Sequence, residues 1–327
     1  MQGKIGLEET FAIPETVGDS GWLLSHLEDS WGKTKAQLLD FQEIRIEEMD
    51  KHGMELMVLS LNSPAIQAIP DKKRAAEYAE KANATLAEEI AKNPKRLAGF
   101  ATLPMQDPDL AILELQKCIK EYGFLGALVN GFSNVDTEEE CLYYDLPRFL
   151  PFWAEIEKLD VPLYLHPRRC LDSQKKIYEG YEWLSASAWG FTVETATHAL
   201  RLMGSGLFDK HPNLSIILGH LGEALPVNIW RTTHRLALEP HDRAYEKPFS
   251  YYLRKNFYVT TSGNFRLAPL LAAILEMGSD RILFATDWPF ETVSDAAIWF
   301  DNVEISETDR EKIGRTNAIE LLKLDLK

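Results

Sequence analysis

The hydrophobic positions of the chain fall in short unbroken runs separated by longer amphipathic stretches. Residues 4–7, 56–60, 97–103, 125–130, 161–167, 214–220, 257–263 and 281–287 are dominated by apolar or small side chains rather than alternating with polar ones. Such runs mark strands buried on both faces of a parallel sheet. Each is followed by a helical stretch, at 34–51 (closing at Gly53), 72–92, 110–122, 147–159, 194–203, 223–238, 267–277 and 294–300, with a last one at 307–324. Eight strand-then-helix units predict an α/β fold, a closed (β/α)8 barrel of the TIM type with additional C-terminal helices. The rival, an open doubly wound sheet, lacks a GxGxxG after the first strand. No shift in composition divides the chain, so residues 1–327 read as one domain.

Charge narrows the choice of partner. The formal net charge is −15, and no basic face is visible, which argues against nucleic acid. An anionic ligand would need positive charge supplied locally. No run approaches 18 apolar residues, and the start MQGKIGLEE lacks a basic n-region and an apolar h-region. Membrane spanning and secretion are therefore not expected. Cys118, Cys141 and Cys170 stand far apart without a CxxC pairing, consistent with a reducing cytoplasm.

In a barrel the carboxyl ends of the strands converge, and that face is where barrel enzymes keep their chemistry. It would gather Glu8 and Thr10 from the first strand, Asn130 from the fourth, His166 from the fifth, His220 from the sixth, residues 260–262 from the seventh and Asp287 from the eighth. Two carboxylates and an imidazole form a hard, mostly oxygen site suited to Mn²⁺, Mg²⁺ or Zn²⁺. Residues 8 and 10 share one side of a strand, so both point inward while Glu9 points away. His220 and Glu223 are spaced i,i+3, which would hold the imidazole in one tautomer. The structural alternatives are an Asp287 that caps the next helix, a His166 satisfied by a backbone carbonyl, and an Arg231 in a surface ion pair. The remaining histidines, His26 and His198 among them, read as packing or surface residues.

The stretches KIGLEE, LYLHPR, DKHPNLSIILGHLGEALP, VTTSGNF, DRILFATDWPFE and IGRTNAIELLKL together resemble the metal-dependent, nonoxidative decarboxylases of ortho-hydroxybenzoates in the amidohydrolase superfamily. The resemblance runs nearly end to end. LSLNSPAIQAI and GALVNGFS are most similar to the γ-resorcylate (2,6-dihydroxybenzoate) decarboxylases, with the 2,3-dihydroxybenzoate decarboxylases next. The resemblance implies decarboxylation of a dihydroxybenzoate, with one divalent ion on Glu8, His166 and Asp287 and no organic cofactor. It implies Asp287 as the proton donor, a catalytic pair His220 and Glu223, and Arg231, Asn130 and Thr10 facing a small aromatic carboxylic acid. A cytoplasmic homotetramer is also implied, as are ring walls from the long loops, with Trp22, Tyr178, Trp183 and Trp189 as candidates. One departure stands out: Thr10 replaces the histidine of the ExH pattern in γ-resorcylate decarboxylases, where the 2,3-dihydroxybenzoate enzymes carry alanine. Two rivals remain at this point. One is a metal-assisted lactone or amide hydrolase, whose usual HxH is ExT here; the other is a barrel that binds an aromatic acid without turning it over.

Overall fold

The computed structural model describes residues 1–24, 28–239 and 241–326, the side chains of residues 22–29 excepted. The strands are β1 (Lys4–Phe11), β2 (Met54–Leu61), β3 (Leu97–Gly99, continued after Phe100 by Ala101–Thr102), β4 (Ala127–Asn130), β5 (Leu163–His166), β6 (Ile216–Leu218), β7 (Phe257–Thr260) and β8 (Ile282–Leu283). Each pairs in parallel with the next. The ring closes where the stretch after β8 returns to β1. Leu7 N donates to Phe284 O (3.2 Å), Asp287 N to Glu8 O (3.1 Å) and Thr10 N to Trp288 O (2.7 Å). The barrel expected from eight strand-then-helix units is thus present.

Two hydrophobic layers follow from the strands being apolar on both sides. Inside the barrel pack Leu7, Val58, Phe100, Leu128, Tyr164, Ile217 and Leu283, with Ala318 and Leu322 of the helix Asn317–Leu322 against them. The larger layer lies between the strands and the surrounding helices. Tyr164 is the one side chain of the interior set with a polar end, and it matters below.

Helix ends follow local chemistry where a cap is present. The helix Lys72–Lys92 begins where Asp71 accepts from Arg74 N (2.8 Å). The stretch expected as one helix over 34–51 is two, Glu28–Leu39 and Ile44–Lys51. Asp40 divides them, its carboxylate accepting from Glu43 N (3.2 Å) and Arg45 N (2.9 Å), so the side chain competes with helix continuation. The acidic segment expected as a loop after β4 contains an antiparallel hairpin, Ser133–Val135 with Thr137–Leu142. Among the described residues no helix is long and apolar enough to cross a membrane.

Candidate active site

Glu8 is the centre of the carboxyl-end face. Its side chain points into the barrel mouth and the residue is 2% exposed. Oε2 accepts from the Tyr164 hydroxyl and from Thr260 Oγ1 (3.3 Å), which are themselves 2.9 Å apart. Oε1 is buried with no hydrogen-bond partner, although His166 Nε2 stands at 3.2 Å and His220 Nε2 at 3.7 Å. Burial opposes the charge on Glu8, but His220, His166 and the Tyr164 hydroxyl outweigh it and hold its pKa at about 2. A side chain at Gly219 would put its Cβ 2.7 Å from Glu8 Oε2, so glycine there leaves the carboxylate its place.

His166 ends β5 two residues after Tyr164, so both project to the inside of the barrel. Its Nδ1 lies 2.6 Å from Asn130 Oδ1, and Asn130 Nδ2 donates to the Asn62 carbonyl (3.2 Å). The second contact fixes the amide: its nitrogen faces a carbonyl, so its oxygen faces the imidazole. His166 therefore donates through Nδ1, which turns Nε2 towards Glu8. Asn130, 1% exposed and opposite His166 in the β4–β5 register, stands behind the imidazole and not in the cavity wall. Its observed contacts are those of a residue that orients His166.

His220 sits in a left-handed turn. Residues 220 to 224 have φ of 51°, 54°, 81°, 52° and 60° in succession, and the right-handed helix begins only at Leu225. The sequence predicts that helix from 223. Each non-glycine residue in this conformation costs about 1–2 kcal/mol, and the cost is met by burial, with Leu221 4% and Glu223 2% exposed. His220 Nδ1 lies 2.6 Å from Glu223 Oε1, and Glu223 Oε2 accepts from Thr192 Oγ1 (2.8 Å). Burial disfavours the imidazolium, but Glu223, Glu8 and Asp287 together raise the pKa of His220 well above the ordinary range. Its Nε2 faces Asp287 Oδ2 at 3.7 Å. Asp287 also has a positive φ, 70°, and burial, with the charge of Glu8 adding to it, pushes its carboxyl up against the pull of His220. Glu9 points to the other side of β1 as expected, accepting from Thr286 N (3.0 Å). Burial raises its pKa to about 8.

These groups floor a cavity of about 300 Å³ whose wall includes Thr10, Ser60, Leu61, Leu128, Phe191 and Phe290. Phe191 and Phe290 are the aromatic walls, and neither is evident from the sequence alone. Trp183 and Trp189 are exposed, and Tyr178, though buried, does not line this cavity. The side chain of Trp22, like His26, lies outside the described residues. Arg231 is exposed and absent from the cavity wall. The physical reason is helix phase: Ile229 is buried in the core, and two residues on, at about 100° per residue, a side chain points away from it. Among the described residues, no arginine or lysine lines this cavity. Tyr164 was missed, although its two-residue spacing from His166 carried the signal; Thr260 is among residues 260–262 expected at the mouth.

The donor set fits a divalent cation. One oxygen each of Glu8 and Asp287 and a ring nitrogen of His220 lie within 4.8 Å of one another, with His166 Nε2 beside the same Glu8 oxygen. A buried carboxylate oxygen without a partner is costly, and a cation bound there removes that cost.

A closed barrel with carboxylates and imidazoles gathered at its carboxyl-end mouth is the architecture of the metal-dependent amidohydrolases. The chain belongs to that family, whose model, described as Amidohydrolase, matches residues 26–324. It is 56% identical over 330 residues to the γ-resorcylate decarboxylase of Rhodococcus jostii (strain RHA1), covering 99% of this chain and 100% of that protein. Its structure matches a crystal structure of 2,6-dihydroxybenzoate decarboxylase complexed with 2,6-dihydroxybenzoate, at a TM-score of 0.97 and 56% identity over 99% of this chain and 100% of that one. A dihydroxybenzoic acid decarboxylase from Polaromonas sp. JS666, crystallised with manganese and 2-nitroresorcinol, matches at a TM-score of 0.97 and 54% identity, covering 100% of this chain and 98% of that one.

Proposed function

We infer that the chain is a metal-dependent carboxy-lyase that converts 2,6-dihydroxybenzoate to resorcinol and CO2 without oxidation. The observation that carries this is the unpartnered Glu8 Oε1 amid two imidazoles and Asp287, under a cavity with the volume and apolar walls of an aromatic acid site.

Glu8, His166 and Asp287 are the residues assigned to the metal. His166 suits ligation because a neutral amide stands behind it and leaves Nε2 an acceptor. His220, whose Nδ1 is held by the Glu223 carboxylate, is assigned to the substrate in this reading, although its Nε2 also faces Glu8 and Asp287. When bound, the divalent ion supplies Lewis-acid attraction for the substrate carboxylate and an ortho oxygen, with manganese the first choice from the Polaromonas relative. His220 faces the anion that the acidic chain must accept. Asp287 takes up the proton of the ortho-hydroxyl as the substrate binds and delivers it: a C–H bond forms at the ring carbon that bears the carboxylate and interrupts aromaticity. The C–C bond to the carboxylate then breaks, its electron pair returns to the ring, and CO2 leaves. Glu223 and Thr192 hold His220 in place during this change. The reaction is reversible by the same steps. A cytoplasmic homotetramer is the setting that goes with this proposal.

The test is direct. Manganese-loaded protein with 2,6-dihydroxybenzoate should release CO2 and resorcinol in equal amounts, followed by ring absorbance and chromatography. No product from this acid, or a hydrolysed product from lactones or amides instead, refutes the assignment.

A further inference from the structure

Ser60 has no task in the chemistry above, yet its position is specific. The residue is 3% exposed, its Oγ has no hydrogen-bond partner, and it lines the reaction cavity. A buried hydroxyl left unpaired costs about 1–3 kcal/mol, so such a group at a cavity wall points to a ligand atom. Thr10 stands beside it. The β1–β2 pairing sets Thr10 opposite Ser60, neighbouring strands run about 4.8 Å apart, and Thr10 lines the same cavity at 8% exposure. The Thr10 backbone is held on both sides, N to Trp288 O (2.7 Å) and O from Arg45 Nη2 (2.8 Å). A third wall hydroxyl, Ser63 Oγ, is already committed to the Pro167 carbonyl (2.9 Å). Ser60 and Thr10 therefore make a polar patch beside the apolar wall residues Leu61, Leu128, Phe191 and Phe290, in a wall whose other polar residues outside the floor are Ser63, Ser187 and Glu291.

We propose that Ser60 and Thr10 form the subsite for the second ortho-hydroxyl of the substrate and set the preference for 2,6-dihydroxybenzoate over acids with a single ortho-hydroxyl. This rests on the decarboxylase assignment above. With the carboxylate and one ortho oxygen drawn to the metal, the other ortho-hydroxyl has to be buried in the cavity and needs a partner there. A serine or threonine hydroxyl both donates and accepts. Accepting from the ring hydroxyl leaves more electron density on its oxygen, and so on the carbon between the two ortho positions, where the proton adds. An acid without that hydroxyl enters at a disadvantage because Ser60 stays buried and unpaired, which is how a polar subsite rejects an analogue lacking its partner.

The experiment uses the manganese-loaded full chain, Ser60→Ala and the isosteric Thr10→Val. For each, kcat/KM for CO2 release is measured with 2,6-dihydroxybenzoate and 2-hydroxybenzoate, together with each acid's competitive inhibition constant, so that a slow substrate still gives a value. The ratio favouring 2,6-dihydroxybenzoate should fall roughly 10-fold in each variant, the size of one lost hydrogen bond, with melting temperatures near that of the parent. An unchanged ratio in either variant overturns the pair as the subsite while leaving the decarboxylase assignment intact. A parent protein that neither binds nor turns over 2,6-dihydroxybenzoate refutes the assignment itself, and the subsite with it.

Discussion

Tyr164→Phe should weaken divalent-metal binding without emptying the barrel of its packing. The phenyl ring keeps the place of Tyr164 in the barrel interior, where it packs 6.2 Å from the Phe100 ring. Only the hydroxyl that donates to Glu8 Oε2 is lost, and Thr260 Oγ1 remains at 3.3 Å. A hydrogen bond to a charged group contributes about 1.5–3 kcal/mol. Thr260 can take up part of this, and part is common to the metal-free and loaded states, so the lower end is the expectation. About 1.5 kcal/mol is a little over tenfold in Kd, the lower bound of the 10–100-fold usual for partners that orient a metal ligand. Competition with a chromophoric chelator gives Kd for manganese, and melting of the metal-free protein reports the common part separately. A variant that binds manganese within about threefold of the parent refutes the premise that the two hydroxyls fix Glu8 for ligation.

Asp287→Asn should abolish turnover even where metal remains, because an amide cannot carry the proton. Resorcinol in heavy water should stop exchanging the hydrogen between its hydroxyls, and exchange at the parent rate would move the proton to His220. Gly219→Ala incurs no left-handed penalty, since φ there is −71°, but it sets a methyl 2.7 Å from Glu8 Oε2. Metal affinity should fall at least tenfold with the metal-free fold retained, and unchanged metal content after dialysis would count against the tightness assigned to that pocket. Thr10→His should retain the fold and shift metal selectivity from manganese towards zinc by adding a nitrogen donor, read by competition between the two ions; identical selectivity puts residue 10 out of reach of the metal. His198 accepts from Tyr144 N through Nε2 (3.1 Å), and burial, then the charge of Arg201, lowers its pKa to about 3. The folded state thus binds fewer protons than the unfolded one. This contribution is complete above about pH 6.5 and is lost as pH falls towards 3, by up to roughly 5 kcal/mol at ~1.4 kcal/mol per pH unit. His198→Gln should flatten that part of the urea-stability profile, and parallel profiles would refute it.

The barrel was legible because parallel strands covered by helices are apolar on both faces, and the convergence of Glu8, His166, His220 and Asp287 followed from their strand-end positions alone. The helix Leu267–Met277 agrees with its expected bounds because Gly278, at φ 88°, takes a backbone that other residues rarely adopt and ends the helix locally. What was not legible depended on distant partners. Nothing near Asn130 announces that the Asn62 carbonyl will turn its amide towards His166. The strand Thr137–Leu142 reads as a loop because its four leading residues are exposed and polar, so pairing with Ser133–Val135 rather than burial makes it a strand. The exposure of Arg231 in this chain was within reach of sequence reasoning, since its helix phase relative to Ile229 could be counted.

The left-handed residues show why the catalytic geometry was harder to read than the fold. Of nine non-glycine residues with positive φ among those described, five are His220, Leu221, Glu223, Ala224 and Asp287. All five lie in the site or in the turn that builds it. Local propensity favours right-handed backbone at each of them, so a sequence pattern points to an ordinary helix start at 223. The observed turn persists because Leu221 and Glu223 are buried, Gly222 takes the position where a Cβ would stand 2.8 Å from Val259 Cγ1, and Glu223 is tied to both His220 and Thr192. Strain of a few kcal/mol kept by tertiary contacts is concentrated where side chains must point against the local preference. Here it aims His220 Nε2 at Asp287 and Glu8 while Nδ1 stays on Glu223.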